Sequence, residues 1–222
     1  VHPQITAGHQ MPLSQDRRYF CNLEVIVPEI RYVQANPASV LAHDKLGFAK
    51  VYREAFAGEP WYETYTDEEV LADVWDEHID SGVIILAFDE ERVVGLGCAQ
   101  PLTKASSNVQ EFLASATSFV ADPANTWYMS ELAVDGDYRR HGIGKQLVRH
   151  RLITASHRGG THFTFRTAIH GSNSLRLYRE LGAHELAERQ DMSHDQQVVV
   201  NGSHSTERVY MHGEIEPILR RF

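Results

Sequence analysis

Apolar residues in this chain recur in two rhythms, one of period two and one of helical spacing, and the rhythms alternate along its length. Residues 23–33, LEVIVPEIRYV, alternate as an opening strand, with Pro28 marking an edge or a bulge. Asn36-Pro37 predicts a helix start; through Phe56, Leu41, Phe48, Val51, Tyr52 and Ala55 fall on one face, and Gly47 is a weak point in its continuity. The capping box Thr66-Asp67-Glu68-Glu69 opens a second helix, with Val70, Leu71, Val74, Trp75 and Ile79 on one face and a stop at Gly82. Residues 83–88 and 93–99 are short apolar strands joined by the turn Asp89-Glu90-Glu91-Arg92. Residues 101–125 break the rhythm and hold a short helix over 109–119.

Residues 127–134 are again an apolar run, with one carboxylate, Glu131, set inside it. A strand over 161–169 follows later, then a helix from His170-Gly171-Ser172-Asn173 to Leu181-Gly182, and strands over 183–192 and 208–215. Strands and helices alternating in this way give an α/β fold around a mixed sheet. No repeat and no second domain is visible. We expect a loose polar arm over 1–18 and one domain over 19–222, carrying an inserted loop and helix at about 102–125.

Between the run at 127–134 and the next helix stands the stretch the chemistry turns on. The turn Asp135-Gly136-Asp137 leads to Arg139-Arg140-His141-Gly142-Ile143-Gly144, and an amphipathic helix begins with Ile143, Leu147, Val148 and Leu152 on one side. A helix start has unpaired backbone N–H groups and a partial positive charge, and Gly142 and Gly144 carry no side chain to hold an anion off. Lys145 and the arginines add formal charge, so the arrangement reads as a phosphate cradle. It is neither a P-loop, since Gln146 follows Lys145, nor a dinucleotide fingerprint, since Leu147 replaces the third glycine.

The string Arg-x-x-Gly-x-Gly after Leu132-Ala133-Val134 resembles the acyl-CoA loop of the GNAT superfamily of N-acyltransferases, and Leu177-Tyr178-Arg179-Glu180-Leu181-Gly182 resembles that family's Leu-Tyr-x-x-x-Gly. The resemblance implies a GNAT-like acyl-CoA N-acyltransferase fold, its central sheet splayed around the CoA site with helices on both faces. It implies acetyl-CoA as co-substrate and transfer of its acetyl group to a primary amine of a small molecule or peptide by direct attack. The backbone of Leu132, Ala133 and Val134 would meet the pantetheine and the oxyanion, aided by a bulge. The amides from Arg140 through His141, Gly142, Ile143 and Gly144 to Lys145 would hold the pyrophosphate, with Arg139 beside them. Tyr178 would be the acid at the leaving thiolate and Glu131 the base, with His170 in reserve. The family's asparagine falls at Gly171, so Asn173 or Ser172 would take over its pantetheine contact. The segment joining the first two helices would line the acceptor pocket, bringing Trp61, Tyr62 and Glu63 to the substrate, and the 102–125 insertion would lie nearby.

Charge sharpens the expectation. The chain carries −9 overall, yet 138–179 contains no Asp or Glu and nine of the 21 basic residues, leaving 12 basic against 30 acidic, or −18, elsewhere. A basic segment in an acidic protein suits an anionic ligand and a cationic acceptor. Nucleic acid would use the same basic stretch, but no recognition motif supports it. A non-catalytic acyl-CoA sensor remains the alternative function. No apolar run approaches the ~20 residues of a membrane span. Cys21 and Cys98 read as reduced thiols of a cytoplasmic protein, the histidines show no zinc spacing, and a monomer or homodimer is open.

Overall fold

A computed structural model describes residues 29–192 and 197–222. The expected arm at 1–18, most of the strand expected at 23–33, and Cys21 lie outside the described residues. An eight-stranded sheet forms the centre of the molecule. Strands β1 (Arg31–Gln34), β2 (Val83–Asp89) and β3 (Arg92–Pro101) pair antiparallel on one side. On the other, β6 (His162–Ala168), β10 (Glu207–Glu214) and β7 (His184–Asp191) also pair antiparallel, the last strand lying between the other two.

The two halves meet through the expected run at 127–134, which is two strands rather than one. Strand β4 (Thr126–Tyr128) pairs parallel with β6 and antiparallel with Gln100 and Pro101 of β3. Among the described residues, strand β5 (Leu132–Val134) pairs only with Gly95 to Gly97 of β3. The parallel ladder ends at Tyr128↔Thr164 and the bond from Met129 N–H to the Thr164 carbonyl, 2.8 Å, while β6 continues to Ala168. From Met129 onward the sheet therefore splits into a wedge, with Glu131 at its apex.

Strand β2 shows why both faces must be covered. Ile84, Leu86 and Phe88 pack under α1 (Ala42–Phe56) and the second helix, whereas Val83, Ile85 and Ala87 face α5 (Ile143–His157). Helix α6 (Asn173–Glu180) adds Leu175 and Tyr178 to the α5 face, and α7 (Ile215–Leu219) adds Ile215 and Ile218. Helix α1 starts at Ala42, later than expected, because the Asn36 side chain accepts the Ala38 N–H at 2.9 Å and closes a local turn. Gly47 does not interrupt it: the helix crosses β3 there, and a Cβ would come within 2.8 Å of Val93.

The second helix opens on the expected box, Thr66 accepting from Glu69 N–H at 3.2 Å. It then runs as α2 (Asp67–Val70), a π-helical turn (Leu71–Trp75) and α3 (Asp76–Ser81). The wider turn rotates the following face, so His78 is buried while Ile79 is only half-buried. The insertion forms α4 (Ser107–Ser115), whose Val109 and Leu113 pack with Tyr128, Leu186 and Tyr210. A small hairpin, β8 (Val198–Val200) with β9 (Ser203–Ser205), stands apart from the main sheet. No helix among the described residues is long and apolar enough to cross a membrane.

Candidate active site

A cavity of ≈ 860 Å³ runs through the wedge, from the start of α5 past β5 to the loop after α1. At its first end Gly142 caps α5 in a left-handed conformation, φ +80°, and a Cβ at Gly142 would meet nothing within 4 Å. The first amides of α5 have no intrahelical acceptor and so remain available to an anion. Arg139 Nε donates to the Val134 carbonyl at 3.1 Å, pinning the loop to β5. The buried Asp135 beside the cradle is neutralised by Arg92 at 2.5 Å. His141 is exposed and does not line the cavity.

Along the middle, β5 has a strand partner on one side only among the described residues, and its other edge, where the Val134 carbonyl accepts from Arg139, faces the wedge. An extended amide-bearing chain fits there as an added strand. These two features, an open helix start and a one-sided strand edge joined by one cavity, suit a pantetheine with its phosphates. Ser172 caps α6, accepting the Leu175 N–H at 3.2 Å, which leaves the neighbouring Asn173 exposed at the cavity rim.

At the apex, a single buried guanidinium organises the chemistry. Arg151 of α5 donates to the Cys98 carbonyl (3.0 Å), the Glu131 carbonyl (2.9 Å) and the Tyr178 hydroxyl (3.0 Å). It has room because Gly97 faces it; a Cβ there would lie 3.0 Å from Arg151 Cδ and Nε. The Glu131 backbone and the phenol are thus held by one side chain. Because Arg151 donates to the phenol oxygen, the Tyr178 O–H is free to donate elsewhere. Burial raises the Tyr178 pKa, and Arg151 draws it back.

The Glu131 side chain has no hydrogen bond or ion pair among the described residues. Burial pushes its pKa up to about 7; Glu63 and Glu77 add to the rise, and Arg166 and Arg151 oppose it. Next to it, Ser130 contacts His78 Nε2 at 2.6 Å, and His78 Nδ1 contacts the Val74 carbonyl at 2.7 Å. A carbonyl only accepts, so Nδ1 carries the proton and Nε2 accepts from the serine. Burial holds His78 below its usual pKa, in keeping with that neutral form.

The far end is enclosed by Tyr52 and Phe56 of α1, Trp61, Glu63, Tyr65 and the arginines Arg166 and Arg208. Tyr65 donates to Glu63 at 3.0 Å, and burial raises the Glu63 pKa. Of the three expected loop residues, Trp61 and Glu63 line the cavity, whereas Tyr62 is 57% exposed and lies outside it. The 102–125 insertion contributes no lining residue, and His170 is exposed away from the lining.

Six of the nine basic residues of 138–179 line the cavity: Arg139, Arg140, Lys145, Arg151, Arg166 and Arg176. Sequence reasoning missed the roles of Arg151, His78 and Arg208. Arg151 left a signal, as a charged residue on the apolar side of α5; the other two depend on the π turn and on the pairing of β6 with β10.

A model of the Acetyltransferase (GNAT) family matches residues 49–183. Among solved structures, the ribosomal-protein-S18-alanine N-acetyltransferase of Escherichia coli is 14% identical, with a TM-score of 0.55 over 83% of this chain and 94% of that one. Salmonella typhimurium yncA, solved with its cofactor acetyl-CoA, is 13% identical, with a TM-score of 0.59 over 84% and 94%. A GNAT family acetyltransferase from Elizabethkingia anophelis with acetyl-CoA bound is 16% identical, with a TM-score of 0.54 over 83% and 97%. No curated protein matches the chain. These structures share its fold, the family match spans more than half its length, and the chain accordingly belongs to the GNAT family of acetyltransferases and is an acyltransferase enzyme.

Proposed function

We propose that the chain transfers the acetyl group of acetyl-CoA to a primary amine bound at the far end of the cavity. The observation that carries this reading is the bridge made by Arg151, which joins the Glu131 carbonyl at 2.9 Å to the Tyr178 hydroxyl at 3.0 Å. A candidate base and a candidate donor to the leaving sulfur are thereby held around the wedge apex. In the reaction a C–N bond forms as the C–S bond breaks, the amine loses a proton and CoA departs.

Glu131 serves as the proton acceptor, directly or through one water. A carboxylate with a pKa near neutrality is matched to that task, because it is ionised at working pH and still basic. The backbone N–H groups at β5 stabilise the developing oxyanion, and the amides from Arg140 to Lys145, with Arg139 beside them, hold the phosphates. Tyr178 donates a hydrogen bond to the departing sulfur. Complete proton transfer would run uphill, since a phenol has a pKa of about 10 against about 8.5 for a thiol. The resemblance implied a proton donor; the pKa order favours a hydrogen-bond donor instead.

Cys98 is an unsuitable nucleophile, being fully buried with a pKa well above its usual value. Direct attack by the amine needs none. The test is the pH dependence of kcat/KM. The wild-type rate should rise through a limb near pH 7, and Glu131→Gln should lower it by about 10²–10⁴-fold and abolish the limb. An unchanged profile in the variant would assign the base elsewhere.

A further inference from the structure

We infer that Ser130 and His78 form a proton relay at the wedge apex, which takes the second proton of an ammonium acceptor and returns it to the departing CoA sulfur. This rests on the proposed acetyl transfer and adds two side chains to its machinery. An acceptor that arrives as R–NH₃⁺ must lose one proton before its nitrogen can attack, and another once the C–N bond has formed. Glu131 can hold only one of them. Tyr178 cannot protonate the sulfur, because a phenol, at about 10, is a weaker acid than a thiol, at about 8.5. One proton acceptor and one proton donor are therefore wanting, and a group that accepts first and donates afterwards fills both roles.

Ser130 stands beside Glu131 in the segment between β4 and β5, and both line the cavity. The serine hydroxyl lies 2.6 Å from His78 Nε2, and His78 Nδ1 lies 2.7 Å from the Val74 carbonyl. That carbonyl fixes both the proton on Nδ1 and the orientation of the ring, which leaves Nε2 as a base aimed at the hydroxyl. The imidazole is 2% exposed and stands behind the cavity wall, so protons reach it through Ser130. The π turn over Leu71–Trp75 brings His78 to this buried side of α3.

The surrounding charges suit a histidine that is neutral at rest and charged only in passing. Glu77, its neighbour in α3, favours the imidazolium, and Arg151 from α5 opposes it. Gln100 of β3 fixes that carboxylate, donating from Nε2 to Glu77 Oε1 at 2.8 Å. Cys98 of β3 stays a neutral thiol, its pKa pushed well up by burial, and residues 83–88 of β2 are apolar. Glu77 also raises the Glu131 pKa, so the two proton acceptors share one electrostatic neighbourhood. Burial keeps His78 below its usual 6.5, which makes its imidazolium a stronger acid than a thiol at about 8.5 and lets the proton pass on to sulfur.

In sequence, Glu131 takes one proton from the ammonium and the freed nitrogen attacks the thioester carbonyl. As the C–N bond forms, the nitrogen passes its second proton to Ser130 Oγ, whose own proton moves to His78 Nε2. The C–S bond then breaks with its electron pair going to sulfur. Tyr178 steadies the thiolate by hydrogen bonding while the proton returns to it from His78 through Ser130. Nitrogen and sulfur are bonded to the same tetrahedral carbon, so one hydroxyl can serve both. The products are the amide, the CoA thiol and the proton on Glu131, which is shed to water.

The experiment pairs primary alkylamines with their aminooxy analogues, in which oxygen replaces the carbon beside the nitrogen: butylamine with O-propylhydroxylamine, and 2-phenylethylamine with O-benzylhydroxylamine, among others. The analogue is uncharged at neutral pH, so it has one proton fewer to lose, and Glu131 alone can take and return it. Acetylation over the enzyme-free rate is followed by mass spectrometry for the wild type, Ser130→Ala and His78→Gln. With the alkylamine each variant should lose about 10²-fold in kcat at unchanged KM for acetyl-CoA, and with the aminooxy partner less than about tenfold. A merely structural role for the pair would slow both acceptors alike. Such an equal loss, or full turnover of the alkylamine in both variants, would overturn the relay and leave acetyl transfer intact. Should His78→Gln fail to fold, Ser130→Ala, which removes a single oxygen, carries the comparison alone. No acetylated product from any acceptor with the wild-type chain would overturn both the relay and the transfer.

Discussion

A carboxylate enclosed by protein is harder to ionise than one in water, and Glu131 makes that difference measurable as stability. Its pKa rises from 4.5 to about 7 on folding, so the folded chain binds a proton more tightly than the unfolded chain. Stability from this group is therefore present below about pH 4.5, falls as pH rises to about 7, and stays lost above it. Glu131→Gln should raise the melting temperature at pH 8, by the equivalent of on the order of 2–3 kcal/mol at most, with no gain at pH 4. A gain independent of pH would locate the charge of Glu131 in water. Tyr178→Phe tests the other reacting side chain: kcat should fall while acetyl-CoA affinity is nearly unchanged, as binding and turnover measured side by side would report. Full turnover would remove the hydroxyl from the mechanism. Both residues were legible in the sequence, Glu131 as a carboxylate inside an apolar run and Tyr178 through its motif. Arg166 and Arg208 were not, because they are 42 positions apart and meet only through the register of β6 and β10.

Elements rather than single residues explain how the site stays open. Strand β4 commits its edge to β6, and β5 leaves it, so the wedge is a consequence of where the parallel ladder stops. Arg151, from the middle of α5, ties that break to α6 through Tyr178. Its charge also favours ionised Glu131. Arg151→Met should accordingly move the acidic limb of the pH–rate profile to higher pH and lower kcat, because Tyr178 loses its anchor. A limb displaced to lower pH would contradict this arrangement. At this scale the sequence pattern found the second helix but not its π turn, which depends on how Val74, Trp75 and His78 settle against the sheet. It also began α1 too early, since Asn36-Pro37 suits a turn as well as a helix start. The glycine loop was legible because its backbone requirement is local: only a residue free to adopt φ +80° caps α5 in this way without strain.

For the whole molecule, the uneven charge has a spatial meaning. The acid-free segment 138–179 does not form one solvated face; it supplies one strand, two helix starts and the cradle around a single cavity. Sequence reading anticipated an anionic ligand from that segment, whereas the order of strands, with β10 between β6 and β7, depends on long-range pairing that no local pattern encodes. The central claim is that an amine takes the acetyl group directly from acetyl-CoA in this wedge. The measurement that tests it most directly is mass spectrometry of both protein and small molecules after incubation with acetyl-CoA and a broad panel of primary amines, amino acids among them. The account predicts one acceptor gaining a single acetyl group, while the protein itself gains none. Acetyl-CoA bound but intact across the panel would contradict acetyl transfer. An acetyl group carried by the protein on the way to product, with the His78-bound Ser130 hydroxyl the first position to inspect, would contradict direct attack.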